Sequence, residues 1–178
     1  MLVEVKVQSL GLDRASNTPV VILQEREGER VLPIWIGPGE ASAIAMQLAD
    51  MHFSRPLTHD LLVSVLSGLG GELQKVLITR VQENTYFAEL IIRRNGEMIS
   101  VDARPSDSIA VALRSRAQIF AQDELLEEAA IEISEEEAAE STQGPPPQDS
   151  PTPPFMSPDE LQEYLRKLNP EDFGRFTP

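Results

Sequence analysis

The chain has 178 residues, enough for one domain with a sizeable core and an extension besides. It holds no cysteine, which excludes disulfide frameworks and thiolate metal sites, and no apolar run approaches the ~20 residues of a membrane span. The net charge of −14 is concentrated late: through residue 121 there are 12 basic and 14 acidic residues, and from Gln122 onward 3 and 15, so no overall basic footprint for nucleic acid is present.

In chain order, Val3, Val5 and Val7 alternate with Glu4 and Lys6, which predicts a strand over Leu2–Ser9 and not a signal peptide; a cytoplasmic protein is the expectation. Pro19–Gln24 is a β-branched apolar run, and Glu27-Gly28-Glu29 turns it into a third strand, Val31–Ile36. Gly37-Pro38-Gly39 breaks that strand, and Glu40–Met51 follows helical spacing with Ile44, Leu48 and Met51 on one side. Thr58 is placed to cap a second helix, His59–Leu66, which Gly68, Gly70 and Gly71 terminate.

The order then recurs. Strands are predicted over Leu73–Val81, Thr85–Arg93 and Glu97–Asp102, with Arg94-Asn95-Gly96 as a hairpin turn. Ser106 is placed to cap a helix over Asp107–Arg116, and another helix spans Asp123–Ala130. Aligned without gaps, Ile36, Ile44 and Ala45 fall on Val101, Ile109 and Ala110. The fold class expected is therefore α+β: two βββαα units, residues 1–72 and 73–130, sharing one large mixed sheet that the helices cover.

Beyond residue 130 the composition changes. Residues 131–156 are rich in acid and proline, cannot bury a core, and read as a solvated tether. Ser157-Pro158-Asp159-Glu160 then marks a helix start within the closing segment 157–178, with Leu161, Tyr164, Leu165 and Leu168 along one face. Three turns are marginal alone in water, so this segment is expected to dock on the domain or on a protein partner.

No phosphate loop, dinucleotide fingerprint, zinc spacing or nucleophile elbow is present. The candidates for chemistry are polar residues at the strand-to-helix corners: Glu40, Arg55, His59, Asp60, Asp102, Arg104 and Asp107. Histidine is the side chain whose ordinary titration suits proton transfer near neutrality, which makes His59 the candidate base, with Asp60 beside it. Glu40, Asp102 and Asp107 are oxygen donors of the kind that hold Mg2+ or Mn2+, and Arg55 and Arg104 suit phosphate. Each also has a plain structural role, since acids in a first helical turn offset the dipole and arginines tie corners together. His52 reads as a helix-boundary residue, and Arg93-Arg94 and Arg114-Ser115-Arg116 are the nearest approach to basic patches.

Three blocks in these regions, Leu32-Pro33-Ile34-Trp35-Ile36-Gly37 with Glu40-Ala41, Arg55-Pro56-Leu57-Thr58-His59-Asp60-Leu61, and Asp102-Ala103-Arg104-Pro105-Ser106-Asp107-Ser108-Ile109-Ala110, resemble the bifunctional nuclease family. The resemblance covers about residues 1–130. It implies an α+β domain of duplicated units, a homodimer or higher homo-oligomer, and hydrolysis of RNA and DNA, with nucleic acid as partner. The matching blocks contain all seven candidates, which the chemistry of their side chains divides into His59, Asp60, Asp102 and Asp107 as catalytic, Arg55 and Arg104 on substrate, and Glu40, Asp102 and Asp107 at a metal. With a near-neutral domain the expected activity is low and assisted by a divalent ion. The competing reading is a non-enzymatic dimeric module whose tethered terminal helix recruits or blocks a partner.

Overall fold

Residues that alternate apolar and polar give a strand one face to bury, and seven such strands form one mixed sheet in a computed structural model that describes residues 1–13 and 16–129. They are β1 (Leu2–Asp13), β2 (Thr18–Glu25), β3 (Val31–Trp35), β4 (Gly71–Gln82), β5 (Thr85–Arg94), β6 (Glu97–Ala103) and β7 (Gln118–Gln122), in the spatial order β3-β2-β1-β7-β4-β5-β6. Three helices, α1 (Pro38–Leu48), α2 (Thr58–Gly68) and α3 (Pro105–Ser115), are joined by a helical stretch at 123–129, labelled α4. The architecture is the α+β mixed sheet expected. The tether over 131–156 and the closing segment over 157–178 lie outside the described residues.

Each half contributes an antiparallel meander, β1-β2-β3 and β4-β5-β6. The tight turn at Asn95 and Gly96, with φ of 52° and 84°, is the hairpin turn expected there, and Glu83 and Asn84 adopt the same left-handed pair at 49° and 58°. The meanders are joined by β7, antiparallel to β1 and parallel to β4, so that Ile119 stands between Val5 and Val76. This strand was not among the predicted elements. It follows α3 and precedes α4, whereas the corresponding stretch of the first half, between α1 and α2, carries no strand.

Helix starts also differ in detail. Thr58 and Ser106 lie inside the first turns of α2 and α3; the capping positions are Leu57 and Arg104, and neither uses a side-chain cap. Proline at the first turn of α1 and α3 presets the backbone and sacrifices only an N–H that has no helical partner. At its other end α1 stops at Leu48, before the expected Met51, because Asp50 takes a left-handed φ of 52°.

The helices close one face of the sheet. Ile109 through Ala112 of α3, Ala41 and Ile44 of α1, and Leu125, Leu126 and Ala129 of α4 pack with Val21, Leu23, Val76, Ile78, Leu90 and Ile119. Fully burying a side chain such as Ile109 (0% exposed) contributes about 2–3 kcal/mol. The opposite face differs between halves. In β5, Phe87, Glu89 and Ile91 are half-buried between buried Ala88, Leu90 and Ile92, whereas β2 is buried without a break from Pro19 to Leu23.

Candidate active site

Three helix N-termini bring three side chains together. Glu40 lies in the first turn of α1, His59 in that of α2, and Asp107 in that of α3. Counted from the helix starts, Pro38 matches Pro105 and Glu40 matches Asp107, a register two residues away from the gapless alignment of the sequence. Arg104, the residue that opens α3, joins the two acids: Nε donates to Asp107 Oδ2 at 2.8 Å, and Nη2 donates to Glu40 Oε1 at 2.8 Å and to Asp107 Oδ1 at 3.2 Å. Its backbone is fixed by buried Ser108, whose hydroxyl donates to the Arg104 carbonyl at 2.9 Å. Gly37 lies under the folded-back Glu40 carboxylate, where a Cβ would collide with it.

His59 completes the group. Its Nε2 lies 3.1 Å from Asp107 Oδ1, and the ring is 12% exposed. A neutral imidazole in this contact donates Nε2–H to the carboxylate and keeps Nδ1 as an acceptor. Burial pushes the Asp107 carboxyl up, but hydrogen bonds from Arg104 and His59 outweigh it and hold the group below the ordinary aspartate range. The same bond to Asp107, with that to Glu40, raises Arg104 further above its already high value. The Arg104 side chain is 66% exposed, and an ion pair so open contributes at most about 1 kcal/mol to stability. Stability therefore does not account for its three bonds, and Nη1 is left unbonded among the described residues.

Asp60 is turned to another task. Its Oδ2 accepts from Leu57 N at 2.9 Å, capping α2, and its Oδ1 accepts from Arg114 Nε at 2.6 Å. Arg114 is 6% exposed and also donates to the carbonyls of Ala110 and Ala43, tying α1, α2 and α3 together. Burial raises the Asp60 carboxyl, and the Leu57 N–H and Arg114 more than reverse it. Arg114 thus leaves the basic patch expected of Arg114-Ser115-Arg116, and Arg93 pairs with Glu72. A basic residue flanked by the buried run Ile109–Ala112 was the available signal that Arg114 is a helix tie.

Two candidates stand outside the cluster. Arg55 is exposed in the loop before α2 and makes no hydrogen bond or ion pair among the described residues. Asp102 is opposite Glu89 in the β5–β6 register; the flanking Val101 and Ala103 face the buried Leu90 and Ala88, so Asp102 points to the outer face. His52, in the loop after α1, is exposed and contacts Asp50.

The donor set does not fit a divalent ion. Glu40 and Asp107 meet only across the Arg104 guanidinium, which already supplies the positive charge, and Asp102 is on the other face. Among the described residues no group of three or more His, Asp or Glu side chains is placed to hold a metal.

The cluster is reached from solvent through the exposed Arg104 side chain. Two shallow depressions of about 360 and 390 Å³ are lined by other residues. Next to it, α2 turns Leu61, Leu62, Val65 and the following Leu69 outward, 44–62% exposed, with no charged residue after Asp60. No helix among the described residues is long and apolar enough to cross a membrane.

Comparison with known proteins gives the family of the chain. The sequence profile of the bifunctional nuclease domain matches residues 21–134. An uncharacterized protein of Mycobacterium tuberculosis (strain CDC 1551 / Oshkosh) is 39% identical over 173 residues, spanning 96% of this chain and 97% of its own. Bifunctional nuclease 2 of Oryza sativa subsp. japonica is 27% identical over 116 residues, 63% of this chain and 36% of its own. Bifunctional nuclease 1 of Arabidopsis thaliana is 27% identical over 105 residues, 57% and 32% respectively.

Proposed function

The chain belongs to the bifunctional nuclease domain family, and from that premise we propose that it hydrolyses phosphodiester bonds of RNA, DNA or both at the His59–Asp107–Arg104–Glu40 cluster. The plant relatives named as bifunctional nucleases support the reaction. The observation that carries the residue assignment is the 3.1 Å contact between His59 and Asp107 beside a guanidinium that keeps free donors.

In this reading a water attacks phosphorus and gives its proton to His59 Nδ1, while Asp107 holds the ring and offsets the charge it gains. Arg104 Nη1 and the N–H groups of three helix starts face the negative charge that builds on the phosphoryl oxygens. The P–O bond to the departing strand breaks, and the imidazolium returns the proton to the departing oxygen. Glu40 keeps Arg104 from swinging away, and Arg55 contacts a neighbouring phosphate. No step is routed through Mg2+ or Mn2+, because Arg104 occupies the place between the two acids. Asp60 positions α2, and with it His59.

Purified chain, with His59→Asn and Asp107→Asn variants prepared in parallel, is assayed on single-stranded RNA, single-stranded DNA and duplex DNA, in chelator and with added magnesium or manganese. Cleavage by the parent and a loss of at least ~100-fold in both variants are expected. Parent protein inactive under every condition overturns the nuclease reading, and variants as active as the parent overturn the assignment. Because the domain is near neutral and offers few cations to phosphate, activity is expected to be low and to fall only modestly with salt.

A second reading, a dimeric binding module, is favoured by α2. A helix with an apolar, uncharged outward face is suited to pairing with its own copy without repulsion. Leu61→Glu is expected to shift the chain to monomer in sedimentation; a dimer that survives it places self-association elsewhere. Nuclease loss in that variant with folding intact joins the two readings.

A further inference from the structure

We infer that two copies of this chain join edge to edge along β6, antiparallel and centred on Ser100, and that the join sets Arg94 of each copy beside the Arg104 cluster of the other. The two outermost strands among the described residues are built differently. At one edge β3 has five residues with Pro33 at its centre, and a proline, lacking the N–H, blunts an edge against further pairing. At the other edge β6 has seven residues, with no proline and no basic residue. Glu97 through Asp102 are all exposed, Met98, Ile99 and Val101 by 58%, 38% and 40%. An edge strand so long, apolar and uncovered is a template for another strand.

Strand parity settles which backbone groups face outward. The Asn95-Gly96 turn is closed by Arg94 and Glu97, which exchange backbone hydrogen bonds, and along an antiparallel pair every second position does the same. Glu97, Ile99, Val101 and Ala103 therefore bond to β5, while the N–H and C=O groups of Met98, Ser100 and Asp102 point away from the sheet. A second copy laid antiparallel, with Ser100 against Ser100, pairs all three and uses the whole strand. Its rows also match in chemistry. Ile99 falls against Val101 of the second copy, Asp102 against Met98 and Glu97 against Ala103, so apolar meets apolar and no charge meets its like. A strand that complements itself about one residue fits a second copy of the chain, joined by a two-fold axis.

The join rests on the self-association reading of α2 and names the edge that completes it. Leu66 of α2 and Ile92 close together over Gly71, and Ile92 is the neighbour of Ile99, so the apolar outward face of α2 adjoins the same edge. The join also reaches the site. Ala103 ends β6 one residue before Arg104, and it lies against Glu97 of the second copy; one strand further on is Arg94 of that copy. With strands ~5 Å apart, Arg94 of the second copy stands ~10 Å from Ala103, whereas within one chain the two rows lie ~20 Å apart along β6. Arg94 alternates with Ala88, Leu90 and Ile92 on the helix face, is exposed, and makes no ion pair among the described residues. In the dimer it offers a nucleic-acid strand held at Arg104 a further cation for phosphate, a role that rests on the nuclease reading.

The chain has no cysteine, so Ser100→Cys in the full-length protein puts a single thiol on the axis. Hydrogen-bonded neighbours have Cα atoms ~5.5 Å apart, within disulfide reach, so mild oxidation is expected to give a covalent dimer, and Glu29→Cys in the β2–β3 turn none. Val101→Lys, at an exposed position, is expected to sediment as a monomer. A dimeric parent whose Ser100→Cys variant crosslinks no better than Glu29→Cys, or whose Val101→Lys variant stays dimeric, overturns the join and leaves α2 as the contact; a monomeric parent overturns both. Arg94→Ala is expected to lose at least ~10-fold in cleavage. Co-expressed with His59→Asn it is expected to recover about a quarter of the parental rate, since mixed dimers carry one complete site. Arg94→Ala as active as the parent, or no recovery on co-expression, overturns the role of Arg94 and not the join. A parent without cleavage overturns that role together with the nuclease reading.

Discussion

Both meanders have an apolar central strand, but β2 is buried on both faces and β5 on one. On the open half, Arg80 stacks over Phe87 at 4.3 Å, Lys75 lies 5.6 Å from Phe120, and Glu89 faces Asp102, so the outer side is a mixed polar surface. On the closed half the same positions hold Val20, Ile22 and Pro33. Repetition of strand order therefore does not repeat environment. The difference also divides the polar residues of the second corner. At Ala103 the strand ends; Asp102 stays with the outer face, while Arg104 and Asp107 turn to the helix starts and meet His59 and Glu40.

The largest stability effect is expected where the helix layer is tied. Arg114→Met removes a nearly buried guanidinium and leaves Asp60 with one partner, at a cost of about 2–4 kcal/mol by urea denaturation. The two faces are compared directly by Ile22→Ala and Ile91→Ala. A loss of about 2–3 kcal/mol is expected for the closed position and less than ~1 kcal/mol for the open one; equal losses contradict the difference between halves.

Acid sharpens the contrast between the helix layer and the outer face. Asp60 and Asp107 have folded-state pKa values below the ordinary 3.8, so the stability they contribute is present above that value. It is lost as pH falls through the lower folded-state values. Urea midpoints followed downward from about pH 5 are expected to decline, and less steeply when both are Asn. Smallest of all, Asp102→Asn relieves a like-charge register with Glu89, which predicts a gain of ~0.2–0.5 kcal/mol and a cleavage rate within about twofold of the parent. A large loss of rate there returns Asp102 to the site.

Much of this was legible locally. Val3, Val5 and Val7 announced β1, and Asn95-Gly96 announced its turn, because alternation and left-handed residues act over a few positions. β7 was missed because Gln118–Gln122 is five residues long and is fixed by β1 and β4 on either side, more than forty positions away in the chain in the nearer case. Asp102 could have been separated from Asp107 by strand parity, since Val101 and Ala103 flank it as the apolar positions. The roles of Asp60 and Arg114 were hidden for another reason: the pair spans 54 positions, and local chemistry shows two charges without showing that they meet. Glu40, His59, Arg104 and Asp107 were all named from the corners. Their convergence depends on how α1, α2 and α3 lie against each other, which no single segment encodes.

The most direct test of the account is the single-turnover cleavage rate of His59→Asn against the parent, on the same RNA and DNA substrates, with His52→Asn as a control in the exposed loop. The cluster predicts a loss of ~100-fold or more for His59→Asn and a rate within about twofold for His52→Asn. A folded His59→Asn protein that cleaves as fast as the parent contradicts it.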